Sequence, residues 1–340
     1  MATKVPISIL DFCPVLEGET PRDALLQATS LAAHAEKLGY RRFWVTEHHG
    51  ATLAASSATP VVISHIASNT TTLRVGSGGV MLPNYAPFVV AEQFGTLASL
   101  HPGRIDLGLG RSTGTHTGQE KIGARALRLA PDAREHYVSD VQELQSYFRM
   151  PTPGQEFPAV PGSGLDVPLW LLGSSTFSAE EAGKLGLPFV FAAHIAPDLA
   201  VRALETYRAN FRPSAALERP YAMICVLAIA ADADEMAKYL LTSLQITLLD
   251  AQRGKWGPLQ RPVQDFAAAT TEAERAIVAK VIKRAVVGSP AKVCAELDQM
   301  IAETAADELM VLTIVYDQAA RHRSFELLAQ HGAFALGPTP

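Results

Sequence analysis

Val5-Pro6-Ile7-Ser8-Ile9-Leu10-Asp11-Phe12 is the first apolar run of the chain, and its pairing with the helical stretch next to it decides the fold. Thr20-Pro21-Arg22-Asp23 offers a helix N-cap, a first-turn proline and a first-turn acid. Beyond it Leu25, Leu26, Ala28, Leu31, Ala32, Ala35 and Leu38 share one side of a helix that Gly39 stops. Residues 42–49 then read as a second strand. Strand, helix, strand in close succession is the unit of a parallel sheet with crossover helices.

The alternation continues outward to the end of the chain. Further strands are expected at 73–82, Ile105–Gly110, 169–172, Phe189–Ala192, 221–230 and 309–316, with helical patterns over 86–100, 132–148, 178–185 and 198–211. With the first two that makes eight strands, which predicts an α/β chain closed into a (β/α)8 TIM barrel, one domain over residues 1–340. Residues 243–287 exceed a single crossover and read as an insertion before the last strand. The Pro- and Gly-rich stretch 150–167 reads as a second long excursion.

Bulk properties narrow the function. At 340 residues the chain suits one barrel, and 48% hydrophobic against 19% charged residues supplies a large core. The net charge of −5 comes with no basic stripe, which argues against nucleic acid. No apolar run approaches the roughly 20 residues that cross a bilayer. Cys13, Cys225 and Cys294 are odd in number and far apart, so neither a disulfide framework nor a metal site is expected. The first residues run into a strand without a leader pattern, and a cytoplasmic protein is expected.

Active sites of such barrels lie at the C-terminal ends of the strands. Glu47-His48-His49 closes the second strand, where neighbours point to opposite sides, so the two histidines do not share a metal. One histidine at the barrel mouth serves as acid, base or hydrogen-bond donor; the pair reads equally well as structural. Gly76-Ser77-Gly78-Gly79 marks either a kink or the close approach of something flat. Gly173-Ser174-Ser175-Thr176 leads into a helix N-terminus, fit for an anion or for an ordinary cap. Arg111 would add a positive partner for a phosphate if the two loops converge, and is otherwise a surface ion-pair residue. Gly108-Leu109-Gly110 lacks the dinucleotide fingerprint.

Taken together these segments resemble the bacterial luciferase-like monooxygenase family, in its single-chain branch outside light production. The matching pieces are Ile7-Ser8-Ile9-Leu10-Asp11-Phe12, Trp44-Val45-Thr46-Glu47-His48-His49, Arg74-Val75-Gly76-Ser77-Gly78-Gly79-Val80-Met81-Leu82-Pro83 and Ala91-Glu92-Gln93-Phe94. Pro102-Gly103-Arg104-Ile105-Asp106-Leu107-Gly108-Leu109-Gly110-Arg111, Leu172-Gly173-Ser174-Ser175, Gly186-Leu187-Pro188, Val287-Gly288-Ser289-Pro290 and Asp307-Glu308-Leu309-Met310 continue the match in chain order.

The resemblance implies a flavoprotein of a two-component system. A separate flavin reductase delivers reduced FMN, O2 adds to give a flavin hydroperoxide, and a small hydrophobic organic substrate is oxygenated, with secondary metabolism within the family's range. Carried over by position, Gly78 and Gly79 match a non-proline cis peptide behind the flavin ring. Arg111, Gly173, Ser174, Ser175 and Thr176 match the phosphate contacts, and His48 matches the active-site histidine. Phe12, Cys13, Met81, Tyr85 and His194 are candidates for the substrate side, with core packing as their other reading, Cys13 above all. Phe88 is a further apolar candidate near the mouth. Gly110 stands where light-emitting members carry a reactive cysteine. Residues 243–287 fall where the family has a mobile lid, and a homodimer is expected through helices near the second and third strands. The competing expectations are a deazaflavin-dependent hydride-transfer enzyme on the same barrel and a non-catalytic flavin-binding protein.

Overall fold

All eight apolar runs form strands in the structure, a computed structural model that describes residues 4–115, 118–151, 154, 157–331 and 334–337. β1 (Val5–Asp11) leads to α1 (Pro21–Leu38), β2 (Arg42–Val45) to α2 (Thr59–Ser68), and β3 (Arg74–Ser77) with the short β4 (Val80–Met81) to α3 (Pro87–Leu100). β5 (Ile105–Gly110) is followed by α4 (Glu120–Ala126) and α5 (Tyr137–Phe148), β6 (Leu169–Gly173) by α6 (Thr176–Leu185), and β7 (Phe189–Ala192) by α7 (Ala200–Asn210). After β8 (Ala222–Ala230) come α8 (Asp234–Gln252), α9 (Glu272–Val281), β9 (Val286–Gly288) and α10 (Pro290–Thr304). β10 (Glu308–Leu312), α11 (Gln318–Ala329) and β11 (Phe334–Ala335) complete the order.

The strands pair in parallel as β10-β1-β2-β3-β5-β6-β7-β8, and β8 pairs back onto β10, which closes an eight-strand TIM barrel. β4, β9 and β11 lie outside the ring, against β5, the far half of β8 and the start of β1. The helix expected over 132–148 begins only at Tyr137, and ahead of it the chain makes a turn in which Glu135 N–H donates to Asp132 O at 2.8 Å.

Strand periodicity sorts the core into two layers. Ile7, Ile9, Phe43, Val45, Val75, Leu107 and Leu109 face the helices and pack with Ala28, Leu31, Ile63 and Phe94. Leu10, Trp44, Trp170, Val190, Met223, Met310 and Leu312 fill the ring itself. Trp44 and Trp170 meet edge to face at 5.3 Å, and the inward glycines of β3 and β5 make room for them. A Cβ on Gly76 would lie 2.7 Å from Trp44 Nε1.

The floor of the ring, at the strands' N-terminal ends, is ionic. Arg42 donates to Asp106 at 2.7 Å and to Glu308 at 3.0 Å. Arg74 pairs with Asp106 at 2.5 Å, Trp44 Nε1 donates to Asp106 at 3.0 Å, and Tyr221 donates to Glu308 at 2.8 Å. Asp106 and Glu308 are fully buried and Arg42 nearly so, hence a closed network is what lets these charges stay inside.

The opposite end is partly covered. Leu16, after β1, forms a parallel bridge with Leu259, and both belong to the ring's apolar cluster. Leu259 N–H donates to Val15 O at 2.8 Å and Glu17 N–H to Leu259 O at 2.9 Å. Hydroxyls of α8 hold the same stretch, since Gln260 N–H donates to Thr247 and Val263 N–H to Thr242, both at 2.9 Å. Residue 243 lies within α8, so the irregular chain between β8 and β10 begins at 253. A cleft of about 680 Å³ between α8 and α11, lined among others by Tyr239, Arg261, Tyr316 and Arg323, lies across the ring from β5 and holds none of the candidate residues.

Candidate active site

β2 ends at Val45, and its extended continuation carries Thr46, Glu47, His48 and His49 to the mouth. The two histidines part as alternation requires. His48 is half-buried, its ring centroid 4.3 Å from that of Phe12 and its Nδ1 3.1 Å from Thr46 Oγ1. His49 turns away and bonds the buried Glu47 carboxylate at 2.9 Å, while its backbone N–H donates to Gly114 O at 2.9 Å. Glu47 also accepts the Tyr85 hydroxyl at 3.2 Å. Together these bonds tie the end of β2 to the start of α3 and to the loop after Arg111.

The peptide bond between Gly78 and Gly79 is cis. It interrupts the strand expected over 73–82 and separates β3 from β4. A Cβ on Gly78 would run into Leu10, and one on Gly79 would lie 2.7 Å from Gly108 O. Backbone therefore bars a side chain at Gly79, while one at Gly78 would have to displace the Leu10 side chain. Met81 lies against Gly110, where an added Cβ would come 2.9 Å from its sulfur.

The two loops of the anion reading converge. Arg111 stacks its guanidinium carbon 4.2 Å from the centroid of Phe177, the second residue of α6. Among the described residues Arg111 has no carboxylate within ion-pair distance. Ser175, the N-cap of α6, is extended, and its side chain makes no capping bond. Ala179 is the first residue of the helix whose amide finds a backbone acceptor, Ser175 O, at 3.4 Å. The amides of Thr176, Phe177 and Ser178 thus share the helix N-terminus with a cation and no competing acid, the arrangement that binds phosphate.

The remaining candidates divide. Phe12 meets His48, and Met81 covers the end of β5 at Gly110. Tyr85 and Phe88 pack on the strand–helix layer, Phe88 with its ring 5.3 Å from that of Tyr147. Cys13 is fully buried in that layer, facing the helices, which matches its small-hydrophobe reading. His194 bonds Cys225 O through Nδ1 at 3.2 Å, and since a carbonyl only accepts, Nδ1 carries the proton. Burial pulls the His194 pKa below the ordinary value, with the Cys225 carbonyl acting in the opposite sense.

Sequence reading did not single out Phe177, which aims Arg111, or Thr46 and Ser56, which contact one another beside His48 at 3.1 Å. The position of Phe177 just behind three small hydroxyl residues was the available signal. Nothing in the linear order of 46 and 56 announced their contact.

The mouth of the closed barrel thus combines a histidine, a bare-backbone wall and a helix N-terminus fit for an anion. The chain belongs to the luciferase-like monooxygenase family, whose model matches residues 8–308. It is 46% identical over 323 residues to a luciferase-like monooxygenase of Escherichia coli K12, covering 95% of this chain and 96% of that one. Its fold superposes on the crystal structure of apo-MsnO8 with a TM-score of 0.85 and 36% identity, over 98% of this chain and 99% of the other. The oxygenating constituent of 3,6-diketocamphane monooxygenase from Pseudomonas putida, a type II Baeyer–Villiger enzyme solved with FMN, shares the fold at a TM-score of 0.71 and 17% identity, with 98% and 100% covered. No helix among the described residues is long and apolar enough to cross a membrane.

Proposed function

We propose that this monooxygenase uses reduced FMN and O2, with the flavin supplied by a separate reductase in the cytoplasm, to oxygenate a small hydrophobic organic molecule. The observation that carries the cofactor assignment is the stack of Arg111 on Phe177, which sets a cation with no ion-pair partner among the described residues beside the first turn of α6, whose N-cap side chain makes no bond. A phosphate monoester fits that donor set better than a neutral headgroup does.

In this reading Arg111, the amides of Thr176–Ser178 and the hydroxyls of Ser174, Ser175 and Thr176 bind the phosphate, with Gly173 in the approach loop. The backbone of Gly78 and Gly79 forms the flat wall for the ring system. When bound, the flavin supplies the electrons and the site of O2 activation. His48 holds or moves a proton beside the ring, and Phe12 fixes its plane. Met81 and the upper ring residues keep water from the reaction and favour an apolar substrate. His194 sits on the substrate side. Segment 243–287 covers the site, with 259–263 as its fixed edge. Limited proteolysis that FMN does not slow in this segment would remove the cover from the scheme. Two copies pair through α2 and α3, and light scattering showing a monomer at micromolar concentration removes that pairing.

The deciding experiment is anaerobic titration with reduced FMN, with riboflavin as the phosphate-free control, and then mixing with oxygenated buffer. The proposal expects FMN to bind far more tightly than riboflavin. It also expects a transient near-ultraviolet band that appears before, and without, the visible band of oxidised flavin. Binding without that band leaves an oxidase, a flavin carrier or an adduct that needs substrate to persist. No FMN binding, with binding of a deazaflavin coenzyme, identifies a hydride-transfer enzyme.

A further inference from the structure

Two buried hydroxyls stand behind His48. Thr46 lies two positions before His48, on the same side of the chain, and its Oγ1 is 3.1 Å from His48 Nδ1. Ser56, between β2 and α2, lies 3.1 Å from Thr46 Oγ1 and 3.4 Å from the Phe12 carbonyl oxygen. Thr46 is 5% exposed and Ser56 0%, so bulk water does not compete for either.

Each hydroxyl has one proton to give, and the far end of the row sets the direction. The Phe12 carbonyl can only accept, so Ser56 donates to it. Ser56 then accepts from Thr46, and Thr46, its proton spent, accepts from His48. The Cys13 sulfur, also in contact with Ser56, works the same way. Burial and then the Asp11 carboxylate push the Cys13 thiol pKa well up, so the thiol keeps its proton. That proton faces Asp11, which leaves the sulfur as a second acceptor for Ser56. Both neighbours draw the Ser56 proton away from Thr46.

We infer that Thr46 and Ser56 are positioning residues that hold neutral His48 with its proton on Nδ1, leaving Nε2 as the basic nitrogen. The functional weight of this inference rests on His48 being the active-site histidine of the proposed reaction. A proton taken up at Nε2 then leaves the whole row undisturbed, because the imidazolium still donates from Nδ1 to Thr46. The Phe12 ring, tilted 40° to the imidazole at 4.3 Å, stands against a ring flip that would exchange the nitrogens. Free histidine prefers the opposite tautomer, so the row acts by inverting a default.

The test uses flavin-free protein and long-range 1H–15N correlation of the imidazole nitrogens, with the His48 signals identified by their loss in His48→Gln. Above the titration of His48, the wild type is expected to show the Nδ1–H tautomer. Ser56→Ala frees the Thr46 proton to turn towards Nδ1 and should switch His48 to Nε2–H, although Ser56 does not touch the ring. Thr46→Val should give the same switch, and Thr46→Ser should restore Nδ1–H. An Nε2–H wild type, or a Ser56→Ala variant that keeps the wild-type tautomer, overturns the inference. FMN binding is measured separately on the same samples, so failure of the flavin reading and failure of the hydroxyl row give different results.

Discussion

The two ends of the barrel handle charge in opposite ways. At the floor, Arg42, Arg74, Asp106 and Glu308 leave no charge without a partner, and Ser8, Trp44 and Tyr221 add further bonds. At the mouth, Arg111 has an aromatic face in place of a carboxylate, and α6 begins without a side-chain cap. Both ends are made from the same strands, only a few residues apart. The contrast teaches where binding capacity is kept: a network that satisfies itself stabilises the fold, and groups left unsatisfied remain available to a ligand.

The comparison can be broken most directly at the floor. Arg42→Met removes the cation that two buried carboxylates share and is expected to cost about 3–5 kcal/mol in urea unfolding. A loss below about 1 kcal/mol would mean the floor is not a closed network. The same network sets an acid limit. Burial alone would raise the Asp106 pKa, but Arg42 and Arg74 more than offset it and the net shift is downward. A carboxyl depressed in the folded state stabilises above its unfolded value and loses that contribution as pH falls through the folded one. The Asp106 contribution should therefore be constant above about pH 5 and shrink below about pH 4, seen as a shallower acid limb in Asp106→Asn, read from urea midpoints across pH.

At the mouth, the expected effects move from stability to binding. Arg111→Gln should weaken FMN about 10- to 100-fold while shifting unfolding by less than about 0.5 kcal/mol and leaving riboflavin binding unchanged. Helix termini sharpen the contrast further. α1 is closed by a capping box between Thr20 and Asp23, so Thr20→Ala should cost about 1 kcal/mol of stability. Ser175→Ala at α6 removes a hydroxyl that makes no cap bond and should leave stability within about 0.5 kcal/mol. A Ser175→Ala cost equal to that of Thr20→Ala would show that the α6 terminus is an ordinary cap.

The ring was legible because each strand is a short apolar run between turn residues, and its closure was implied by the number of runs. The Gly78-Gly79 geometry and the meeting of Arg111 with α6 were legible only as motifs, since loop convergence depends on how the ring is closed. The ionic floor was not foreseen. Arg42, Arg74, Asp106 and Glu308 each looked like a charge at a strand edge, yet all sit near strand starts in inward register, and that shared phase was the signal. Tyr85 carries a contact that was not legible either. Its ring suited an apolar pocket, but its hydroxyl found the buried Glu47, a contact that linear order does not show.

The tie between Leu16 and Leu259 joins the first loop of the chain to the long connection that precedes the last barrel strand. Because loop closure has to be offset before so distant a contact is rewarded, this pairing is expected to form after the local strand–helix units. The three tryptophans are distributed as if to time this. Trp44 and Trp170 touch inside the ring, and Trp256 is 45% exposed, three positions before Leu259. Stopped-flow refolding monitored by intrinsic fluorescence in single-tryptophan variants would resolve closure of the ring from fastening of its cover, with the Trp256 signal arriving second.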